Sequence, residues 1–195
     1  ELASSGLGLT LTVTAENDVP ILNGFSTSAS FYEDTVNSVP QLIDNIVNFT
    51  DADGNFNGGT LTLTGHLSDD TVSVLNQGIG TGQIGLSDAE VTYGGVAIGT
   101  LSGGTAGTAL TINFGSAATS ASIDALIQNL TYSNSSDTPT SSRELRLNVI
   151  DAAGDEISSG GLGLTLTVIA ENDAPVLADF STSILFQENT VNSKV

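Results

Sequence analysis

The octapeptide G-L-G-L-T-L-T-V at Gly6–Val13 returns unchanged at Gly161–Val168, an offset of 155 residues. The same offset carries A-E-N-D-V-P (Ala15–Pro20) to A-E-N-D-A-P (Ala170–Pro175), F-S-T-S at Phe25–Ser28 to Phe180–Ser183, and T-V-N-S at Thr35–Ser38 to Thr190–Ser193. Residues 1–40 and 156–195 are identical at 26 of 40 positions. Turn chemistry alone does not preserve apolar and polar letters together over that length, so the chain is built on a long repeat. One complete unit is expected at 19–173. Residues 1–18 then read as the last strand of a preceding unit plus a linker, and 174–195 as the first strand of the next. On this reading the chain is a segment of something longer.

Inside the unit the dominant period is two. L-T-L-T-V, T-L-T-L-T (Thr60–Thr64) and L-R-L-N-V-I (Leu145–Ile150) alternate apolar with polar residues, the pattern of a strand with one wet face. Further strands are expected over Leu42–Phe49, Val72–Leu75, Val91–Ile98 and Ala109–Phe114. Clusters such as D-G-N-F-N-G-G and S-G-G-T-A-G between them read as turns. Ile123, Leu126, Ile127 and Leu130 follow a helical spacing, with Ser120 or Ser122 as the cap. The expected fold is all-β: an Ig/cadherin-like antiparallel β-sandwich whose inserted region, from about 65 to 133, carries one short helix at about 120–130.

Charge narrows the function. The chain has 22 acidic residues against three basic ones (Arg143, Arg146 and Lys194), a net charge of −19. Such a surface repels phosphates, so nucleic acid and anionic membrane are poor partners. No apolar run approaches the length of a membrane helix, which argues against membrane insertion. With no Cys there is neither a disulfide framework nor a thiolate metal site. Solubility in a salty medium and neutralisation by divalent cations both account for the charge, and the positions of the carboxylates bear on the choice.

Those carboxylates stand where strands end. F-T-D-A-D-G-N-F-N-G-G places Asp51 and Asp53 around Ala52 with Gly54 behind them, and oxygen donors so spaced can converge on one hard cation. The spacing is not that of an EF-hand, and D-G and N-G are equally at home in hairpin turns. Asp151 closes a strand in V-I-D-A-A-G-D-E. Asn17 and Asp18 precede Pro20 at the inter-unit joint. Glu33 ends the first strand in F-Y-E-D-T, and its repeat counterpart is Glu188.

Taken in order, these motifs resemble the cadherin-like repeats of giant bacterial surface proteins and, more distantly, cadherins. The acidic Asn-Asp linkers ending in Pro, the D-x-D loop and the Asp before a Gly turn are similar to that family's joint. I-Q-N-L-T-Y-S-N-S-S-D-T-P-T is similar to a passage that recurs in the bacterial repeats. The resemblance implies Ca2+ at each joint. One joint would draw on Asn17, Asp18, Asp51, Asp53 and Asp151, the other on Glu33, Asp137, Asn172 and Asp173. Each would be partly furnished within this chain, the first better than the second. Two departures stand out: the unit is about half again as long as an animal cadherin repeat, and the Asp137 turn lacks the family's Glu. The implied setting is secreted or on the cell surface. The implied partners are neighbouring repeats of the same polypeptide, with lateral or head-to-tail self-association as an extension.

Catalysis has little to stand on. His66 is the only histidine and has no nucleophile at motif spacing, and Asp69 and Asp70, adjacent on a strand, face opposite ways. Gly78–Gly85 lacks a phosphate-loop lysine and reads as a flexible loop. The Thr arrays (Thr10, Thr12, Thr14; Thr60, Thr62, Thr64) recur on wet strand faces for propensity reasons alone. The expected role is a non-enzymatic extender segment of a long adhesin; the alternative is a ligand- or glycan-binding adhesion module.

Overall fold

Alternation of Leu with Thr in residues 60–64 produces a strand whose Leu61 and Leu63 are buried while its threonines stay partly exposed. The same logic builds most of the chain. The computed structural model describes residues 10–175 and positions 177, 178, 183 and 185. Its elements are β1 (Ile21–Asn23), β2 (Ser28–Tyr32), α1 (Glu33–Ser38), β3 (Gln41–Leu42), β4 (Asn48–Thr50), β5 (Thr60–Thr64), β6 (Asp70–Val74), β7 (Ile84–Ser87), β8 (Glu90–Tyr93), β9 (Val96–Ser102), β10 (Leu110–Phe114), α2 (Ser120–Gln128), β11 (Leu130–Asn134), β12 (Ser142–Ile150) and β13 (Leu162–Ile169).

The main sheet has eight strands in the order β2-β13-β12-β5-β10-β9-β8-β7. A three-stranded sheet, β3-β11-β6, and helix α2 lie over it, and a two-stranded ribbon joins β1 to β4. One contiguous core contains Leu61, Ile112, Leu147 and Leu166 from the main sheet, Val72 and Tyr132 from the second sheet, and Ile123 and Leu126 from α2. The molecule is all-β and sandwich-like, as its periodicity announces. Strands β7 to β10 continue the main sheet, so most of the inserted region widens the sandwich instead of forming a separate lobe.

The differences from expectation have local causes. The sandwich is antiparallel except at one pair: β13 runs parallel to β2, with Thr165 opposite Ser28 and Ile169 opposite Tyr32. Val91–Ile98 is a hairpin, not one strand, because Gly94 and Gly95 both adopt positive φ (59° and 81°), as a two-residue turn between antiparallel strands requires. Leu42–Phe49 splits into β3 and β4. Between them the buried Asp44 accepts hydrogen bonds from the Ser26 and Ile46 amides, holding the chain in a turn. Residues 84 and 85 of the expected flexible loop belong to β7. The cap of α2 is Thr119, whose hydroxyl accepts from Ser122 N while the Ser122 hydroxyl accepts from Thr119 N.

Helix α1 carries no periodicity long enough to read. Glu33 therefore begins a helix instead of closing β2. Residues 10–14, expected as the end of a strand, make no ladder. Their counterpart at 165–169 is β13, held between β2 and β12, which shows how far strand formation depends on available neighbours. Residues 1–9 and most of 176–195, Glu188 included, lie outside the described residues.

One buried polar network joins the two sheets. Asp70 accepts from Arg143 Nε and Nη2 at 2.8 Å each, from the Tyr132 hydroxyl at 2.5 Å and from Asn134 Nδ2 at 2.7 Å. Burial pushes the Asp70 carboxyl up, but the guanidinium, the phenol, the Leu67 amide and the Asn134 amide together hold it below the usual range. Burial is also the main reason the Tyr132 hydroxyl is pushed far up, with Asp70 adding to it. Asp69 is exposed, so the adjacent pair does point opposite ways.

His66, within reach of the Asp70 charge, is 4% exposed. Burial lowers its pKa, opposed in part by the Asp70 charge and the Thr108 backbone.

Two outcomes follow. Arg143→Ala leaves Asp70 charged and buried and is expected to cost about 3–5 kcal/mol, read as a fall in the urea midpoint at unchanged slope. Because the folded pKa of His66 lies below its unfolded value of 6.5, its contribution is present above that pH and is lost as pH falls. The Asp70 contribution is likewise present above the unfolded carboxylate value of 3.8 and is lost on further acidification. Melting temperature against pH should therefore decline in two stages, and His66→Leu should remove the upper one.

Candidate functional site

Strand β12 separates two groups of acidic residues. Nine residues long, it spans roughly 30 Å, with Asp151 immediately beyond its C-terminal end and the 135–140 turn before its start. The former end is called upper here and the latter lower.

At the upper end the linker folds down onto the unit. Asn17 Nδ2 donates to Asp151 Oδ2 at 2.8 Å and to Asp155 Oδ2 at 2.7 Å, while Asn17 Oδ1 accepts from Asn55 Nδ2 at 2.5 Å. Asp18 N donates to Asp53 Oδ2 at 2.6 Å. The turns beneath are organised by their own carboxylates. Asp51 Oδ1 accepts from the amides of Asp53 and Gly54, and Asp151 Oδ1 from those of Ala153, Gly154 and Asp155. Each carboxylate thus spends one oxygen on its loop and leaves the other for something else. For Asp151 that partner is Asn17. Asp51 Oδ2 and Asn55 Oδ1 are buried acceptors with no hydrogen-bond partner. A cavity of about 270 Å³, lined by Asp18, Val19, Ile21, Thr50, Asp51 and Ala52, opens at Asp51.

At the lower end the parallel β2–β13 ladder delivers Glu33 and residues 171–173 to the same place. Glu33, Asp137 and Asp173 each offer a carboxylate oxygen within 4.8 Å of the others. Glu33 is 1% exposed; its Oε2 accepts from Glu171 N at 3.0 Å and its Oε1 has no partner. Among the described residues the only salt bridge is Arg143–Asp70, so none of their cations pairs with these three carboxylates. Three carboxylates with one acceptor buried and unused suit a hard divalent cation, which takes oxygen ligands. Asn172 turns its amide to the Asp173 carbonyl at 3.1 Å, as Asn17 does to the Asp18 carbonyl at 3.2 Å. The two A-E-N-D segments share this side-chain contact as well as their sequence.

The nine residues singled out from the sequence therefore fall at two ends, Asn17, Asp18, Asp51, Asp53 and Asp151 at one and Glu33, Asp137, Asn172 and Asp173 at the other. The upper end gathers more groups, whereas the tight carboxylate triad is the lower one. Asn55 and Asp155 were missed. Both stand in the quoted loops, D-A-D-G-N and D-A-A-G-D, and each is the next oxygen-bearing side chain after the glycine.

Comparison with known proteins adds little. No protein-family model matches the chain, and no curated protein matches it. One solved structure, the GspB Siglec domain, is similar at 12% identity and a TM-score of 0.28, over 82% of this chain and 62% of that chain. This chain thus spans less than two thirds of that one. At so low a score the likeness establishes neither a common topology nor a common role. No helix among the described residues is long and apolar enough to cross a membrane.

Replacing Glu33 by Gln removes one charge from the lower triad, relieving repulsion, and keeps one oxygen to accept from the Glu171 amide. Glu33→Gln is expected to raise stability in chelator by about 1 kcal/mol, roughly 2–4 °C in melting temperature for a chain of this size. Scanning calorimetry in EDTA checks it.

Proposed function

We infer that the chain is a structural extender repeat, one segment of a long extracellular rod whose joints are stiffened by Ca2+, and that its role is mechanical, not catalytic. The observation that carries this reading is the lower triad. Its members come from three separate places: the start of α1, the 135–140 turn and the linker after β13. A cation held by Glu33, Asp137 and Asp173 would tie the linker to the body of the unit, replacing repulsion with shared coordination. Calcium suits the position better than magnesium because it accepts irregular, carboxylate-rich oxygen sets, whereas magnesium demands near-octahedral geometry and keeps its waters. The 155-residue repeat supports an array of such units, and the partners are then the neighbouring repeats. The net charge fits a cation-rich extracellular medium.

The test is a calcium titration of the chelator-treated protein by isothermal calorimetry, with a parallel melting series. Saturation at a hundred times the dissociation constant should stabilise by about 2.7 kcal/mol, a rise of roughly 5–10 °C. EGTA should reverse it, magnesium should reproduce little of it, and Glu33→Gln should blunt it. No heat and no melting shift up to extracellular millimolar calcium would sink the proposal. Saturable binding of an oligosaccharide on a glycan array would point instead to a ligand-binding adhesion module.

A further inference from the structure

The two ends of this chain show the two halves of one joint, and the halves are unequal. In a tandem array, residues 171–173 of one unit stand where residues 16–18 stand at the start of this one. What residues 16–18 touch is therefore the linker's grip on the unit that follows. What residues 171–173 touch is its grip on the unit that precedes.

The grip on the following unit is made of hydrogen bonds. The Asn17 amide group sits between two carboxylates and donates to both Asp151 and Asp155. Its oxygen is held by Asn55 and the next amide by Asp53. Four direct bonds bridge segments 35 or more residues apart, and beside them Asp51 Oδ2 and Asn55 Oδ1 stay without a partner. The grip on the preceding unit is nearly the opposite. Among the described residues one bond, Glu171 N to Glu33 Oε2, works against the repulsion of Asp173 by Glu33 and Asp137. Glu33, buried and with Oε1 unpaired, keeps that repulsion at short range.

We propose that the joint is polar: the linker belongs mechanically to the unit after it, latched by Asn17 across Asp151 and Asp155. The cation-dependent hinge lies on the other side, between the linker and the Glu33–Asp137 face of the unit before. Cation loss would then leave each unit with its N-terminal linker docked and free the joint at one defined place. This rests on the calcium reading for the hinge, but the latch stands apart from it, since its four bonds are direct contacts of linker atoms with the body of the unit.

The experiment is residue-resolved amide hydrogen exchange on the full chain, in EDTA and in saturating calcium. Asp18 N reports the latch, Glu171 N the hinge, and Leu63 N, in the middle of the main sheet, the global fold. Expected is a protected Asp18 amide in both buffers, with the Glu171 amide slowed about tenfold or more only by calcium. Asn17→Ala should speed Asp18 exchange about tenfold in EDTA with Leu63 unchanged, which separates loss of the latch from loss of the fold. The proposal is overturned if the wild-type Asp18 amide exchanges freely in EDTA, if Asn17→Ala leaves it unaffected, or if calcium protects Asp18 and Glu171 alike. A flat calorimetric titration would refute the calcium reading and the cation-dependent hinge together, and the EDTA measurements would then decide the latch alone.

Discussion

The parallel pairing of β2 with β13 is the contact on which the rest of the arrangement depends. It lays the first long strand of the unit against the last, 137 residues apart in register at Ser28 and Thr165. Both strands run the same way, so both finish at the same end. Glu33 and residues 171–173 therefore meet, and the Glu171 amide on the Glu33 carboxylate is set against the mutual repulsion of Glu33 and Asp173. An antiparallel pairing in this position would send the linker to the opposite end and leave Glu33 beside nothing. The carboxylate triad is thus a product of topology more than of local sequence.

The distribution of charge follows from the same plan. Most carboxylates lie in loops at strand ends, where they order their own turns: Asp51 and Asp151 each accept several backbone amides. Asp70 and Arg143 are the exception, a bidentate pair sealed between the sheets with Tyr132 and Asn134 completing the acceptor shell. A net charge of −19 is tolerable because the acidic residues are spread over two ends and many turns, and because the only deep carboxylate with a formal partner is fully satisfied. Glu33 breaks that pattern. It is deep, short of partners, and placed where two further carboxylates arrive.

Much of this was legible in the sequence, for identifiable reasons. Two-residue periodicity fixes which side chains of β5, β12 and β13 face the core, and a period of two survives in short strands. The 3.6-residue spacing of Ile123, Leu126 and Ile127 found α2. What was not legible depends on tertiary context. Helix α1 is too short for a period to show, and its acidic first turn looks the same as a strand end. The Gly94–Gly95 hairpin is visible in retrospect, since two adjacent glycines between β-rich runs specify that turn. The Asp70–Arg143 pair also left a signal: Arg143 shares parity with Leu145, Leu147 and Val149, so it had to point inward. At the upper end, Asp155 and Asn55 were hidden by a count of ligands that stopped at the glycine.

The direction of β2 and β13 has one further consequence, for load. Residue 18 lies at the upper end and residue 173 at the lower, so tension applied through the two ends of the described chain would pull them opposite ways. Strands β2 and β13 run along that axis, and their ladder bonds lie across it. Tension then shears the whole ladder at once instead of peeling it bond by bond from an end. A unit tied this way resists until many bonds fail together, which gives it a sharp yield point under traction.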